Sequence, residues 1–124
     1  METLLIFIFG GTGCLARYGL SGLVYRVLGA SFPFGTLAVN FLGSLFLGGF
    51  VEWSLRTIVL SPDVRNAVAV GFFGGFTTFS TFSYETAKLV EEGSWALAGL
   101  NIAASVFLCL IGALGGILIV RKVL

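Results

Sequence analysis

The sequence predicts an all-α membrane protein with four transmembrane helices. Of its 124 residues, 57% are hydrophobic and only 10% are charged, and the mean hydropathy is +1.05. Soluble domains carry about 25% charged residues, and a small chain has a large surface to cover. Four stretches nearly free of charge use almost the whole chain. They do not alternate as the strands of a membrane β-barrel do, so helices remain as the way to satisfy the backbone in lipid.

Each of the four stretches is long enough to cross a bilayer, because about 20 helical residues span a 30 Å hydrocarbon core. The runs are Thr3–Tyr25, which is interrupted only by Arg17, and the uncharged Val27–Val51, Asn66–Tyr84 and Gly93–Val120. We predict a single four-helix transmembrane domain over residues 1–124, with spans near 3–26, 33–55, 66–89 and 94–121. The first run follows no basic segment, so we expect a retained span rather than a signal peptide.

Short turn-forming segments separate the spans. Ser31-Phe32-Pro33 precedes the second span, and proline is tolerated in a first helical turn. Ser61-Pro62-Asp63 precedes the third span, and Glu91-Glu92-Gly93-Ser94 precedes the fourth. Trp53 and Trp95 lie near predicted span ends, where their amphipathic rings favour the membrane interface.

The second and fourth spans carry small and polar residues at spacings of three or four, which places them on one helix face. In the second span these residues are Thr36, Asn40, Gly43, Ser44 and Gly48. In the fourth span they are Asn101, Ser105, Cys109, Gly112 and Gly116. The glycines and Ser44 fit close helix packing, as does the Gly112-x-x-x-Gly116 match. The Asn40 amide needs several hydrogen-bonding partners, and Asn101 and Ser105 are candidates for a polar path.

The third span combines a weak point for a helix with a concentration of hydroxyl groups. Gly74-Gly75 is followed closely by Thr77-Thr78, and five hydroxyls fall within residues 77–83. Phe76, Phe79 and Phe82 recur every three residues, which predicts one aromatic side. We therefore predict a helix broken near the membrane midplane. Such a break frees carbonyls at Gly74 to Thr77 for a small cation, and amides from Thr78 onward for an anion.

The ionisable residues exclude several classes of function. The net charge is +1 and no His is present, so there is neither a basic excess for nucleic acid nor a visible catalytic set for an enzyme. Cys14 and Cys109 lie in apolar runs and lack metal-ligand spacing. All carboxylates, including Glu85, are expected near span ends or loops, which argues for a passive pore over a proton-coupled pump. The deep amide, hydroxyl and Phe groups suit a small anion that accepts hydrogen bonds.

The positive charges give only a weak orientation signal. One side of a four-span chain would hold Arg56, Arg65, Arg121 and Lys122, whereas the other would hold Arg26 and Lys88, with Arg17 buried nearer to it. We hypothesise from this small difference that the chain inserts both ways and forms an antiparallel homodimer. A fixed orientation set by the excess on one side is the alternative.

Three segments resemble the Fluc (CrcB) family of microbial fluoride channels. They are Gly74-Gly75-Phe76-Thr77-Thr78-Phe79-Ser80-Thr81-Phe82-Ser83, Gly35-Thr36-Leu37-Ala38-Val39-Asn40-Phe41-Leu42-Gly43 and Gly10-Gly11-Thr12-Gly13-Cys14-Leu15-Ala16-Arg17-Tyr18. The resemblance in length, span count and motif order covers the whole chain.

The resemblance implies a dual-topology antiparallel homodimer in the cell inner membrane, with two pores that export fluoride passively and confer fluoride resistance. Phe79 and Phe82 resemble the family's pore phenylalanines, whose ring edges contact fluoride, and Asn40 resembles the pore asparagine that orients them. Thr81 and Ser105 resemble members of a hydroxyl track. The backbone carbonyls of Gly74 and Thr77 resemble those that hold a structural Na⁺ at the dimer interface. Some relatives carry other hydroxyl or phenol groups on the fourth span, where this chain has Asn101 and Cys109.

Two other functions remain as alternatives. A small multidrug-type proton antiporter has a similar size, span number and topology, but its family needs a Glu inside the first span, where this chain has Arg17. A non-transporting membrane assembly subunit would explain the small-residue faces but not the cluster of Thr and Phe.

Overall fold

The computed structural model describes all 124 residues and is entirely helical. Four helical spans run in sequence, and the third is bent and divided, which confirms the predicted helical class and the irregular third helix. The elements are α1 (Glu2–Leu28), α2 (Phe34–Arg56), α3 (Pro62–Asn66), a π-helical segment (Ala67–Phe73), α4 (Gly74–Phe76), α5 (Phe79–Glu91) and α6 (Trp95–Val123).

Three of these helices, α1, α2 and α6, are long and apolar enough to cross a membrane. They contain 27, 23 and 29 residues. The third predicted span contains no such continuous helix, because Thr77 and Thr78 separate α4 from α5. Because three separate helices can each cross a membrane, the chain is a multi-pass membrane protein.

The break lies at Thr77 and Thr78, after the glycine pair rather than at it. Thr77 has φ −91° and ψ 159°, and Thr78 has φ −153° and ψ 112°, so both residues are extended. Gly74 is helical, with φ −64° and ψ −37°. A Cβ atom at Gly75 would collide with the Gly10 carbonyl of α1. Gly75 therefore allows close helix packing, and the extended residues lie where the sequence predicts freed carbonyls up to Thr77 and freed amides from Thr78 onward.

Small residues bring the helix backbones into direct contact. A side chain at Gly13 of α1 would overlap the Phe72 carbonyl of the π-helical segment, and one at Gly116 of α6 would overlap the Leu45 carbonyl of α2. A Cβ atom at Gly48 would also collide with the Ala113 carbonyl. Membrane helices associate through such close approaches, because lipid offers no hydrophobic drive for packing. The interpretation of glycines of the second and fourth spans as packing residues is confirmed at Gly48 and Gly116.

Candidate functional site

The break in the third span is held by a side chain of α2. The Asn40 Nδ2 atom donates a hydrogen bond to the Thr78 carbonyl at 3.0 Å, and the Thr78 N–H donates to Asn40 Oδ1 at 2.7 Å. In a continuous helix the Thr78 N–H would bond to the carbonyl of Gly74, four residues earlier. The Oδ1 atom of Asn40 thus takes the place of that carbonyl as the acceptor.

Thr78 also starts α5 as its N-terminal cap. Its Oγ1 accepts a hydrogen bond from the Thr81 N–H at 3.1 Å and lies 3.0 Å from Thr81 Oγ1. This cap satisfies an amide that would otherwise point to the Thr77 carbonyl. The amides of Thr78 and Thr81 therefore both bond to side-chain oxygens, and the carbonyls of Gly74 and Thr77 lose their usual helical partners.

A groove of about 460 Å³ lies beside the break, between α2, α5 and α6. Its polar residues are Asn40, Ser44, Thr77, Thr78, Ser105 and Cys109, and its aromatic residues are Phe79 and Phe82. No charged residue lines it. Four of the five predicted pore residues, all except Thr81, meet in this groove.

The two phenylalanines of α5 have different surroundings. Phe82 is 8% exposed, whereas Phe79 is 78% exposed in the single chain. Their ring centroids are 5.3 Å apart, with 48° between the planes. Phe76 precedes the break and instead stacks on Phe72 at 5.9 Å. The predicted single stripe of three rings is therefore wrong, because the extended residues change the direction of the chain after Phe76.

Thr81 faces a second cavity, of about 250 Å³. Thr78 lines both cavities, while the second is bounded mainly by α1, α2 and α5. Its polar side chains include Arg17, Ser21, Tyr25, Thr36, Thr81 and Glu85. Successive residues of a helix project about 100° apart, so Thr81 and Phe82 point into different spaces.

Glu85 lines this second cavity, and its partners Tyr25 and Thr36 lie near the end of α1 and the start of α2, which agrees with the expectation of carboxylates near span ends. Its Oε1 atom accepts hydrogen bonds from the Tyr25 hydroxyl at 2.9 Å and the Thr36 hydroxyl at 3.0 Å. Its Oε2 atom is buried and has no partner. Because α5 begins only at Phe79, Glu85 is in the second turn of a new helix. The spacing of Thr78, Thr81 and Glu85 was the available signal for a shared face.

Asn101 belongs to a buried network rather than to either cavity. It is 1% exposed, and its Nδ2 atom donates to Thr86 Oγ1 at 2.9 Å. Thr86 donates in turn to the Phe82 carbonyl at 2.7 Å, while Ser105 Oγ lies 3.4 Å from Asn101 Oδ1. Of the two candidates for a polar path on the fourth span, only Ser105 lines the groove. Asn101 connects α6 to the backbone of α5 at Phe82.

Comparison with known proteins identifies the family. Residues 4–117 match the family described as "CrcB-like protein, Camphor Resistance (CrcB)". The chain belongs to the CrcB family. CrcB relatives include proteins named "Fluoride-specific ion channel FluC" from Geobacter sulfurreducens and Geotalea daltonii, which are 52% and 48% identical to this chain. The alignments cover 98% and 99% of the chain and 99% and 100% of the two relatives. A third, from Syntrophotalea carbinolica, is 49% identical over 98% of the chain and 99% of its own length.

Membership of the CrcB family confirms the resemblance found in the three sequence segments. The relatives are ion channels by name, so the CrcB family is one of channels and not of enzymes. The segments that carried the resemblance include the residues of the Asn40–Thr78 contact and the first turn of α5. In this CrcB chain the Asn40–Thr78 contact and the first turn of α5 separate the two cavities.

Proposed function

We propose that the chain is a passive fluoride channel, with the groove beside the break as part of its pore. The observation that carries the proposal is the pair of hydrogen bonds between Asn40 and Thr78, which fixes the break at the wall of that groove. The CrcB relatives named as fluoride-specific channels match this chain over nearly its full length. We infer a single four-span domain over residues 1–124, in the cell inner membrane, that exports fluoride from the cytoplasm.

The groove has the chemistry that a small anion needs. One N–H of the Asn40 amide bonds to Thr78, which leaves the second N–H as a donor. The Ser105 hydroxyl donates a long hydrogen bond of 3.4 Å to Asn101 Oδ1 and would turn toward the groove to donate to an anion, and the edges of the Phe79 and Phe82 rings carry partial positive charge. Without a Lys or Arg in the groove, these groups replace hydration without trapping the ion. Thr81 contributes a hydroxyl from the second cavity, next to the shared residue Thr78.

Passive conduction fits the placement of the carboxylates. No carboxylate lines the groove, and Glu85 faces the other cavity. The only carboxylate of α1 is Glu2 in its first turn, which accepts a hydrogen bond from Asn66 at 3.0 Å. A proton antiporter of the small multidrug type would need a carboxylate deeper in that helix. An assembly subunit would have no need of a groove with convergent donors.

An antiparallel homodimer would complete the site. Phe79 is 78% exposed and the groove is open on one side, so a second copy could cover both. A two-fold axis in the membrane plane would produce two equivalent pores. The weak difference in positive charge between the two sides of the chain is compatible with insertion in both orientations.

The same axis offers a place for a structural Na⁺. Gly74 and Thr77 are the residues whose carbonyls lose helical partners at the break, and no atom packs within 4 Å of a Cβ placed at Gly74. Backbone carbonyls are the usual ligands for alkali cations in membrane proteins. Two carbonyls from each subunit would fit such a cation. It would hold the two broken helices together and take no part in anion transfer.

The test is fluoride efflux from liposomes that contain the purified chain, followed with a fluoride electrode and compared with chloride. We expect fluoride efflux without a proton gradient, and little chloride efflux. Drug exchange that requires a proton gradient would support the antiporter, and the absence of any flux would support the assembly subunit. Replacing Na⁺ with a large organic cation during purification should reduce activity if the carbonyl site is structural.

A further inference from the structure

A separate apolar groove of about 550 Å³ lies between α2, the π-helical segment and α6. It is lined only by apolar side chains and glycines, among them Leu45, Phe50, Trp53, Phe73, Gly116 and Val120. Gly49 and Gly116 form part of its wall, and a Cβ at Gly49 would lie 3.5 Å from the Gly116 carbonyl. The groove therefore exists because two glycines leave room beside a close contact of backbones.

The groove has the length of one leaflet. It extends from Leu45 to Trp53 on α2, which corresponds to about 12 Å of helix at 1.5 Å per residue. Half of a hydrocarbon core about 30 Å thick is about 15 Å. Trp53 lines the end of the groove near the C-terminus of α2, and tryptophan favours the membrane interface. The orientation of the groove thus matches that of an acyl chain that enters from the headgroup region.

Positive charges lie at the mouth of this groove, by which we mean the ends of α2 and α6 that follow Trp53 and Val120. Glu52 accepts hydrogen bonds from Arg56 Nε at 2.7 Å and from Arg121 Nε at 2.9 Å, which ties the ends of α2 and α6 together. The Glu52 side chain is 14% exposed, whereas those of Arg56 and Arg121 are 43% and 54% exposed. The single negative charge of Glu52 is thus shared by two guanidinium groups, which still expose N–H groups to the surroundings. The exposed Lys122 adds a third positive charge.

We propose that this groove and its mouth bind an anionic phospholipid, with one acyl chain in the groove and the phosphate at Arg56, Arg121 and Lys122. Basic pockets between transmembrane helices are known to select anionic headgroups. A second antiparallel copy suits the surface less well, because it would bring its opposite end to this level. That end carries Arg26, Lys88, Glu91 and Glu92, has no acidic excess, and already pairs Lys88 with Glu91 at 2.8 Å.

Trp53 provides a direct readout, because it is one of only two tryptophans. In the Trp95→Phe variant, all tryptophan fluorescence comes from Trp53. We would reconstitute this variant in phosphatidylcholine vesicles that contain a minor fraction of a brominated lipid, whose bromine atoms quench tryptophan fluorescence on contact. The brominated lipid is phosphatidylglycerol in one series and phosphatidylcholine in the other. We expect phosphatidylglycerol to quench Trp53 at a lower mole fraction than phosphatidylcholine does, and added salt to reduce the difference.

Charge variants test whether the preference for phosphatidylglycerol depends on the basic residues at the mouth of the groove. Lys122→Gln leaves the contacts of Glu52 intact and should lower the preference for phosphatidylglycerol about fivefold, and Arg56→Gln should have a similar effect. Lys88→Gln, at the other end of the chain, should leave it unchanged. Equal quenching by the two lipids, or a preference that Lys122→Gln and Arg56→Gln both retain, would overturn the proposal. Protection of Trp53 from both lipids would also overturn it and would indicate that a second copy covers the groove.

Discussion

Asn40 and Thr78 exchange two hydrogen bonds, at 3.0 and 2.7 Å, through which a side chain of α2 replaces the helical bonding that the third span lacks. The contact has two consequences. It ends one helical segment and permits Thr78 to cap the next, and it leaves a donor of the Asn40 amide facing the groove. The geometry of the break and the chemistry of the proposed pore therefore depend on the same residue.

Asn40→Asp should strongly reduce fluoride flux. A carboxylate accepts a hydrogen bond from the Thr78 N–H but cannot donate to the Thr78 carbonyl, and its charge would repel an anion in the groove. Efflux from liposomes measures the effect. Asn66→Asp is the matched control, because Asn66 is also an amide but lies at an exposed position outside the groove, and it should conduct normally. Wild-type flux in Asn40→Asp would remove Asn40 from the pore.

Phe79→Ile and Phe82→Ile should each reduce fluoride flux strongly while the protein remains folded. Isoleucine keeps much of the apolar volume but lacks the polarised ring edge. Phe82 is buried within the chain itself, so Phe82→Ile should also lower the stability of the purified protein. Phe107 of α6 is also exposed and lies outside the groove, so Phe107→Ile is the control. Unchanged flux in both α5 variants would contradict the role of the ring edges.

The general fold followed from the sequence because long apolar runs determine spanning helices almost by length alone. The break was also predictable, since glycines and hydroxyl residues are concentrated at one depth. The contacts that hold it were not, because the packing of Gly75 depends on α1, and the extended backbone at Thr78 is held by Asn40 of α2. The separation of Thr81 and Glu85 from Phe82 was missed for a related reason. The direction of α5 is set only after the two extended threonines.

The orientation of the chain is testable with a reporter fused after Leu124. Positive charges are distributed almost evenly between the two sides, so we expect the reporter to be accessible from both sides of the membrane in one preparation. Adding two lysines after Leu124 should shift the population toward a cytoplasmic C-terminus and reduce assembly of the proposed antiparallel dimer. A reporter found on one side only would exclude dual topology.

Gly43→Ala should destabilise the protein although alanine is the better helix former. A Cβ atom at Gly43 would collide with the Thr77 methyl group and lie 3.1 Å from the Phe76 ring, so these side chains next to the break would have to shift. Overpacking of this kind costs about 1–3 kcal/mol, whereas Gly→Ala in an unobstructed helix stabilises by about 0.5–1 kcal/mol. Thermal unfolding in detergent should therefore shift downward for Gly43→Ala, and should not shift downward for Gly19→Ala or Gly99→Ala, where no atom lies within 4 Å. If all three variants behaved alike, α2 would not be in contact with the break at Gly43, and the support that Asn40 gives one turn earlier would also be in question.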